Sequence, residues 1–132
     1  EIVKAFNVIP IECLKSEDLI VVFEREIDIK SANPDLEQLK KLKFRGVLIT
    51  AKSTNYDFVA RTFFPKLGID EDPVTGSAHC TLVPFWAERL GKNDLHAFQI
   101  SERKGELFCK LVKDRVFIKG NAVKYLQGTI NI

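Results

Sequence analysis

Residues 72–90, DPVTGSAHCTLVPFWAERL, join a short polar loop to a long apolar segment. The apolar side chains of this segment cover more than one face of the predicted helix, which is typical of a helix surrounded by protein. Pro84 would either kink one helix over 77–90 or lie in the first turn of a shorter helix that begins near Val83. We expect the single kinked helix, and Gly91 would follow its last turn.

The regions on both sides of this helix are mostly β-prone, since they contain short apolar runs bounded by turn-forming or charged residues. The predicted strands are 2–9, 19–24, 47–51 and 56–64 before the helix, and 95–101, 106–112, 115–119 and 122–130 after it. Leucines at three-residue spacing predict a second helix over 36–43, after an Asn-Pro-Asp turn. Turn-forming pairs at 113–114 and 120–121 indicate an antiparallel meander. We therefore predict an α+β fold in which a sheet curls around one apolar helix.

The residues at the start of the central helix suit the binding of an anion. The first N–H groups of a helix have no intrahelical acceptor and carry the positive end of its dipole, so a carboxylate or phosphate can bind there. Gly76 would let a ligand approach the backbone, while Thr75 and Ser77 would add hydroxyl donors. Asp72, held by the rigid Pro73, would position or relay a proton. The plainer alternative is that Ser77 or Thr75 caps the helix and Asp72 is an ordinary turn residue.

A larger set of residues on both sides of this motif gives the sequence a family resemblance. These are Arg61–Pro65, Gly68-Ile69, Glu71–His79, Trp86, Leu90–Lys92, Gln99–Arg103 and Gly105–Leu107. From about Ile20 onward, the sequence resembles the C-terminal half of the PhzF-like isomerases of phenazine biosynthesis, which share the diaminopimelate-epimerase fold. The resemblance implies two pseudo-symmetric lobes, each a mixed, barrel-like sheet around a central helix. It also implies an active site in the cleft between the two helix N-termini.

The resemblance assigns roles to the motif residue by residue. Asp72 and Ser77 correspond to the catalytic residues of this lobe, and the implied substrate-binding residues are Thr75, Gly76, Ala78 and His79. The implied reaction is a proton shift on a small carboxylate-bearing, amino-acid-like substrate, without a cofactor or metal. The glutamate general acid/base of the family belongs to the other lobe, whose signature motifs are absent from this sequence. We therefore expect residues 1–132 to be a single lobe that supplies half an active site and is inactive alone.

Several neighbouring residues have more than one interpretation. Arg61 would either bind a substrate carboxylate or form a structural ion pair with Asp70 or Glu71, and we favour the ion pair. His79 would either donate a hydrogen bond into the cleft or pack against neighbouring backbone. Lys104 stands where the family commonly has a glycine, and the consequence for the cleft is open.

Composition limits the classes of partner. The hydrophobic share of 45% and the charged share of 29% are those of a globular protein, and no segment has the length of a membrane span. The net charge is only +2, and the densest basic cluster, Lys40, Lys41 and Lys43, lies on a predicted solvated helix face, which argues against nucleic acid. Three cysteines without a CxxC pair, and only two histidines, argue against a disulfide framework or a zinc site and favour the cytoplasm. We expect Cys80 to pack in the core as a small hydrophobe.

Two classes of function remain after these observations. The first is an isomerase lobe that binds a small carboxylate substrate and works with the missing N-terminal lobe. The second is a non-catalytic module on the same fold that binds an anion or pairs with another lobe. A homodimer of half-size chains is a third arrangement, against which the absence of methionine at Glu1 argues, because we expect the native chain to begin further upstream.

Overall fold

The computed structural model describes all 132 residues. The helices are α1 (Ile2–Phe6), α2 (Glu26–Lys30), α3 (Leu36–Lys40) and α4 (Gly76–Leu90), with a 3₁₀ helix at Pro65–Leu67. The strands are β1 (Glu12–Lys15), β2 (Leu19–Val22), β3 (Val47–Lys52), β4 (Phe58–Phe63), β5 (Asp94–Gln99), β6 (Gly105–Val112) and β7 (Arg115–Lys119). None of the helices has the length and apolar character that crossing a bilayer requires.

The strands form one mixed sheet whose order follows the sequence. β2 and β3 are parallel, as are β4 and β5, and all other neighbours are antiparallel. Parallel neighbours require a crossover connection; α2 and α3 lie in the first crossover and α4 lies in the second. Every residue of β2 is buried, because α4 covers one face of the sheet and the shorter helices cover the other.

α4 is the central element around which the sheet curls. Arg89 on α4 bonds Glu12 in β1 at 2.6 Å, while Val116 and Ile118 of β7 pack against the core that α4 shares. β1 and β7 are opposite edges of the sheet, and both reach the same helix although they do not pair with each other. The predicted α+β fold, with a barrel-like sheet around one apolar helix, is confirmed, and the barrel is open between these two edges.

The course of α4 agrees with the sequence prediction, with one exception. The helix continues through Pro84 and ends at Gly91, whose φ of 65° is the left-handed conformation that glycine adopts easily. Trp86 is buried, as expected, and its indole N–H donates to Thr50 Oγ1 at 3.0 Å. Cys80, in contrast, is exposed, so the expectation that it packs in the core is wrong. It lines an open pocket together with Pro84 and residues of the hairpin between β6 and β7.

The two ends of the chain differ from the sequence prediction. The predicted strand over 2–9 is wrong: α1 forms there, and its Phe6 ring packs 5.8 Å from Phe23 and 6.0 Å from Phe63. The predicted strand over 122–130 is also wrong, since this segment makes no backbone hydrogen bond to any strand. An apolar, β-prone pattern indicates a preference for extended backbone. A strand forms only where its backbone can pair with the edge of a sheet.

Candidate active site

The buried side-chain amide of Gln99 holds the loop that leads into α4. Gln99, at the end of β5, has no exposed surface. Its Oε1 accepts the Thr75 N–H at 2.8 Å, and its Nε2 donates to the Asp72 carbonyl at 2.7 Å and to Thr62 Oγ1 at 3.0 Å. The side chain thus provides the loop backbone with the partners that a neighbouring strand would otherwise supply.

A chain of hydroxyl groups connects this amide to the carboxylate of Asp72. The Thr62 and Thr75 hydroxyl oxygens lie 2.6 Å apart, and the Thr75 hydroxyl donates to Asp72 Oδ2. Because the Thr75 proton is used toward Asp72, the Thr62 hydroxyl is the donor in the bond between the two threonines. Asp72 Oδ2 is therefore fixed, whereas its Oδ1 has no hydrogen-bond partner in the protein.

The first turn of α4 has free backbone donors. Thr75 occupies the N-cap position, with φ −116° and ψ 101°, but its side chain makes no capping hydrogen bond because it bonds Asp72 instead. The N–H groups of Gly76, Ser77 and Ala78 have no acceptor, and the first helical bond runs from His79 N–H to the Thr75 carbonyl at 3.4 Å. Thr75 is therefore the N-cap residue that the plainer alternative named, but its side chain satisfies none of the free N–H groups.

The side chains of the first turn leave two of these three donors accessible. Gly76 and Ser77 are exposed, and a Cβ built on Gly76 would meet no atom within 4 Å. Ala78 is buried, backbone included, so the donors that a ligand reaches directly are the N–H groups of Gly76 and Ser77. A further side chain also holds the loop before α4, since Ser101 Oγ donates to the Pro73 carbonyl at 2.7 Å.

His79 lies beneath the site rather than in it. Its side chain is fully buried, its Nδ1 lies 2.8 Å from the Thr75 carbonyl, and its ring stacks on Phe58. Burial lowers the pKa of this imidazole, so the neutral form, with Nδ1–H donating to the carbonyl, fits the geometry. Of the two interpretations of His79, the geometry matches the one in which the imidazole packs against neighbouring backbone, and its Nε2 has no partner.

Arg61 is engaged entirely by the protein. Its guanidinium forms two bonds to the Glu71 carboxylate, at 2.7 and 2.8 Å, and donates to the Ile29 and Ala32 carbonyls at 3.2 and 2.6 Å. The expected structural ion pair is confirmed with Glu71. The Arg61 bonds connect the loop before α4 to the end of α2, so this side chain does not face a ligand.

An open cavity of about 730 Å³ adjoins the start of α4. Gly76 and Val74 form one wall, and the turn before β6 forms another. The two walls come close together at Gly105. A Cβ at this position would lie 2.3 Å from a Val74 methyl carbon, so a larger residue would not fit without a shift. No group of three His, Cys, Asp or Glu side chains in the chain is arranged to hold a metal ion.

Comparison with known proteins gives consistent matches. The family model described as phenazine biosynthesis-like protein (PhzC-PhzF) matches residues 3–128. An uncharacterized isomerase of Pseudomonas aeruginosa is 47% identical over 133 residues, which cover 100% of this chain and 51% of that protein. The crystal structure of a PhzF family protein from Enterococcus faecalis superposes with a TM-score of 0.87 at 42% identity, covering 89% of this chain and 45% of the other. A PhzC/PhzF protein from Clostridium difficile gives a TM-score of 0.86 at 44% identity, covering 95% and 49%. The chain therefore spans about half the length of these relatives.

Proposed function

The chain belongs to the phenazine biosynthesis-like (PhzC-PhzF) family, and from that premise we propose that it is one lobe of a cofactor-independent isomerase. The reaction is a proton shift on a small carboxylate-bearing, amino-acid-like substrate. One observation carries the proposal: the free N–H groups of Gly76, Ser77 and Ala78 lie in the first turn that follows the Asp72 loop, and the Asp72 carboxylate keeps one free oxygen.

The free N–H groups bind the substrate carboxylate. A hydrogen bond to a charged group contributes about 1.5–3 kcal/mol, and the helix dipole adds up to ~1 kcal/mol. The hydroxyl of Ser77 is a further donor in the same turn. Because the donors are part of a helix packed in the core, they are already oriented before the ligand arrives, which reduces the entropic cost of binding.

Asp72 is the group of this lobe that transfers a proton. The Thr75 hydroxyl fixes Oδ2, so the free Oδ1 has an oriented lone pair for a substrate proton. The glutamate that the family resemblance assigns to the other lobe is the second proton-transfer group. The isolated chain is then expected to bind substrate without turning it over.

The protein partner in this proposal is the N-terminal lobe of the same kind of protein. The chain exposes large apolar side chains that a partner would cover. The most exposed are Ile9, Val123, Tyr125, Leu126, Ile130 and Ile132. The same feature favours the second candidate function, a non-catalytic lobe-pairing module. Restoration of isomerase activity when the N-terminal lobe is added would distinguish an enzyme lobe from such a module.

The binding step can be tested on the chain itself by following backbone amide signals in NMR spectra during titration with valerate. We expect the signals of Gly76, Ser77 and Ala78 to shift most. Valeramide has the same shape without the charge and is the matched control. Equal shifts with both compounds, or shifts confined to other residues, would contradict carboxylate binding by these donors.

A further inference from the structure

The cavity beside α4 carries an excess of positive charge. Arg103, Lys104 and Lys119 line it, and Glu106 is its only carboxylate. None of the three cations has a carboxylate oxygen within 4.0 Å, although the chain contains nine such contacts between other lysine or arginine side chains and carboxylates. The Glu106 carboxylate is next to Tyr56 and His96 instead of these cations: its Oε1 lies 3.5 Å from the Tyr56 hydroxyl and 3.8 Å from His96 Nε2.

Lys104 is held at the cavity by its backbone. Its φ of 64° is left-handed, and its N–H donates to Ser101 Oγ at 3.0 Å. That serine is the one that also holds the Pro73 carbonyl, so the turn carrying Lys104 and the loop carrying Asp72 share one anchor. A glycine would adopt this conformation without strain, yet the chain has a lysine there.

We propose that the substrate of this site carries a second anionic group, bound by Lys104 with Arg103 and Lys119, in addition to the carboxylate bound at the start of α4. The inference rests on the proposed function. Because Gly76 lines the same cavity as the three cations, one small molecule can occupy both positions. Lysine and arginine bind carboxylates and phosphates alike, so the shared chemistry is that of a small dianionic acid.

The test compares acids that differ only in the second anionic group. NMR titration of the 132-residue chain uses valerate, glutarate and 4-phosphonobutyrate, with the amide signals of 76–78 as the readout. At low ionic strength we expect glutarate to bind about fivefold more tightly than valerate, the range of an exposed ion pair, and the preference to fall as salt is added. Comparison of 4-phosphonobutyrate with glutarate shows whether the site prefers a phosphonate or a carboxylate as the second anionic group.

A pair of lysine variants isolates the contribution of Lys104. Lys104→Gly should reduce the preference for glutarate over valerate by about threefold. Lys113→Gly is the matched control, because Lys113 is also a lysine with left-handed φ, at 54°, and it does not line this cavity. Both changes introduce glycine where glycine is favoured, so both variants should fold.

The outcomes separate this inference from the proposed function. Equal affinity for glutarate and valerate, with shifts still centred on 76–78, would overturn the second anionic group and leave carboxylate binding intact. An equal loss of preference in Lys104→Gly and Lys113→Gly would also overturn it. If none of the acids shifts the signals of 76–78, both the inference and the proposed function fail.

Discussion

The substitution Gln99→Leu removes the amide that holds the loop before α4 while keeping a side chain of similar size. Leucine fills the buried space but offers no partner to the Thr75 N–H, the Asp72 carbonyl or the Thr62 hydroxyl. The Thr75 N–H is the costliest loss, because Thr75 is buried and water does not replace the acceptor.

The expected magnitude follows from the groups left without partners. A buried polar group without a hydrogen bond costs about 1–3 kcal/mol, and relaxation of the exposed end of the loop recovers part of this cost. We expect the free energy of unfolding to fall by about 2–4 kcal/mol. For a domain of this size, about 3–4 °C of Tm corresponds to 1 kcal/mol, so the expected loss is roughly 7–14 °C.

Thermal unfolding followed by circular dichroism measures this effect. Gln127→Leu is the matched control, since Gln127 is exposed and bonds only the Lys124 side chain, and its Tm should change by less than about 2 °C. At a temperature where Gln99→Leu is still folded, valerate binding should be weaker than in the control. A Gln99→Leu variant with unchanged Tm and unchanged valerate affinity would refute the account of how the loop is held.

Two further predictions concern the donors and the buried imidazole. Ser77→Ala should weaken valerate binding about tenfold in NMR titrations, because one hydroxyl is lost and the amides remain. Gly76→Val should abolish valerate binding by filling the open space at the start of the helix. A larger effect of Ser77→Ala than of Gly76→Val would assign binding to the hydroxyl. The lowered pKa of His79 means that the unfolded state takes up a proton below about pH 6.5 and the folded state does not. The free energy of unfolding should therefore fall by up to ~1.4 kcal/mol per pH unit between pH 6.5 and 5. Urea unfolding should show a smaller decrease for His79→Asn, and an identical decrease would contradict this assignment.

The fold could be predicted where the signal is local and long. The apolar segment of α4 and the runs of β2, β3 and β4 each carry enough periodicity to identify the element. β1 and α2 were not predicted, because their few residues mix charged and apolar side chains, whereas the equally short β2 is an unbroken apolar run. The errors at 2–9 and 122–130 concern segments whose conformation depends on what they contact, which the local sequence does not record.

The site could be predicted only in part, for the same physical reason. The composition of the 72–79 motif indicated a helix start that binds an anion, and the structure has free donors there. The supports from Thr62 and Gln99 were not predicted as such, because they come from separate strands, 13 and 24 residues from Thr75. The available signal was a polar side chain on the otherwise apolar face of a strand, which becomes informative only when the position of the loop is known.

The central claim is that Asp72 transfers a proton on a substrate whose carboxylate is bound by the start of α4. Steady-state kinetics of the two-lobe protein, with Asp72→Asn compared with Asp70→Asn, tests it most directly. Asparagine keeps the shape at position 72 and still accepts the Thr75 bond, but it lacks the charge and the proton affinity. The account predicts that Asp72→Asn lowers kcat by about 10²–10⁴-fold with little change in KM, while the exposed Asp70 tolerates the same change. An Asp72→Asn enzyme with the kcat of the unsubstituted protein would contradict the claim.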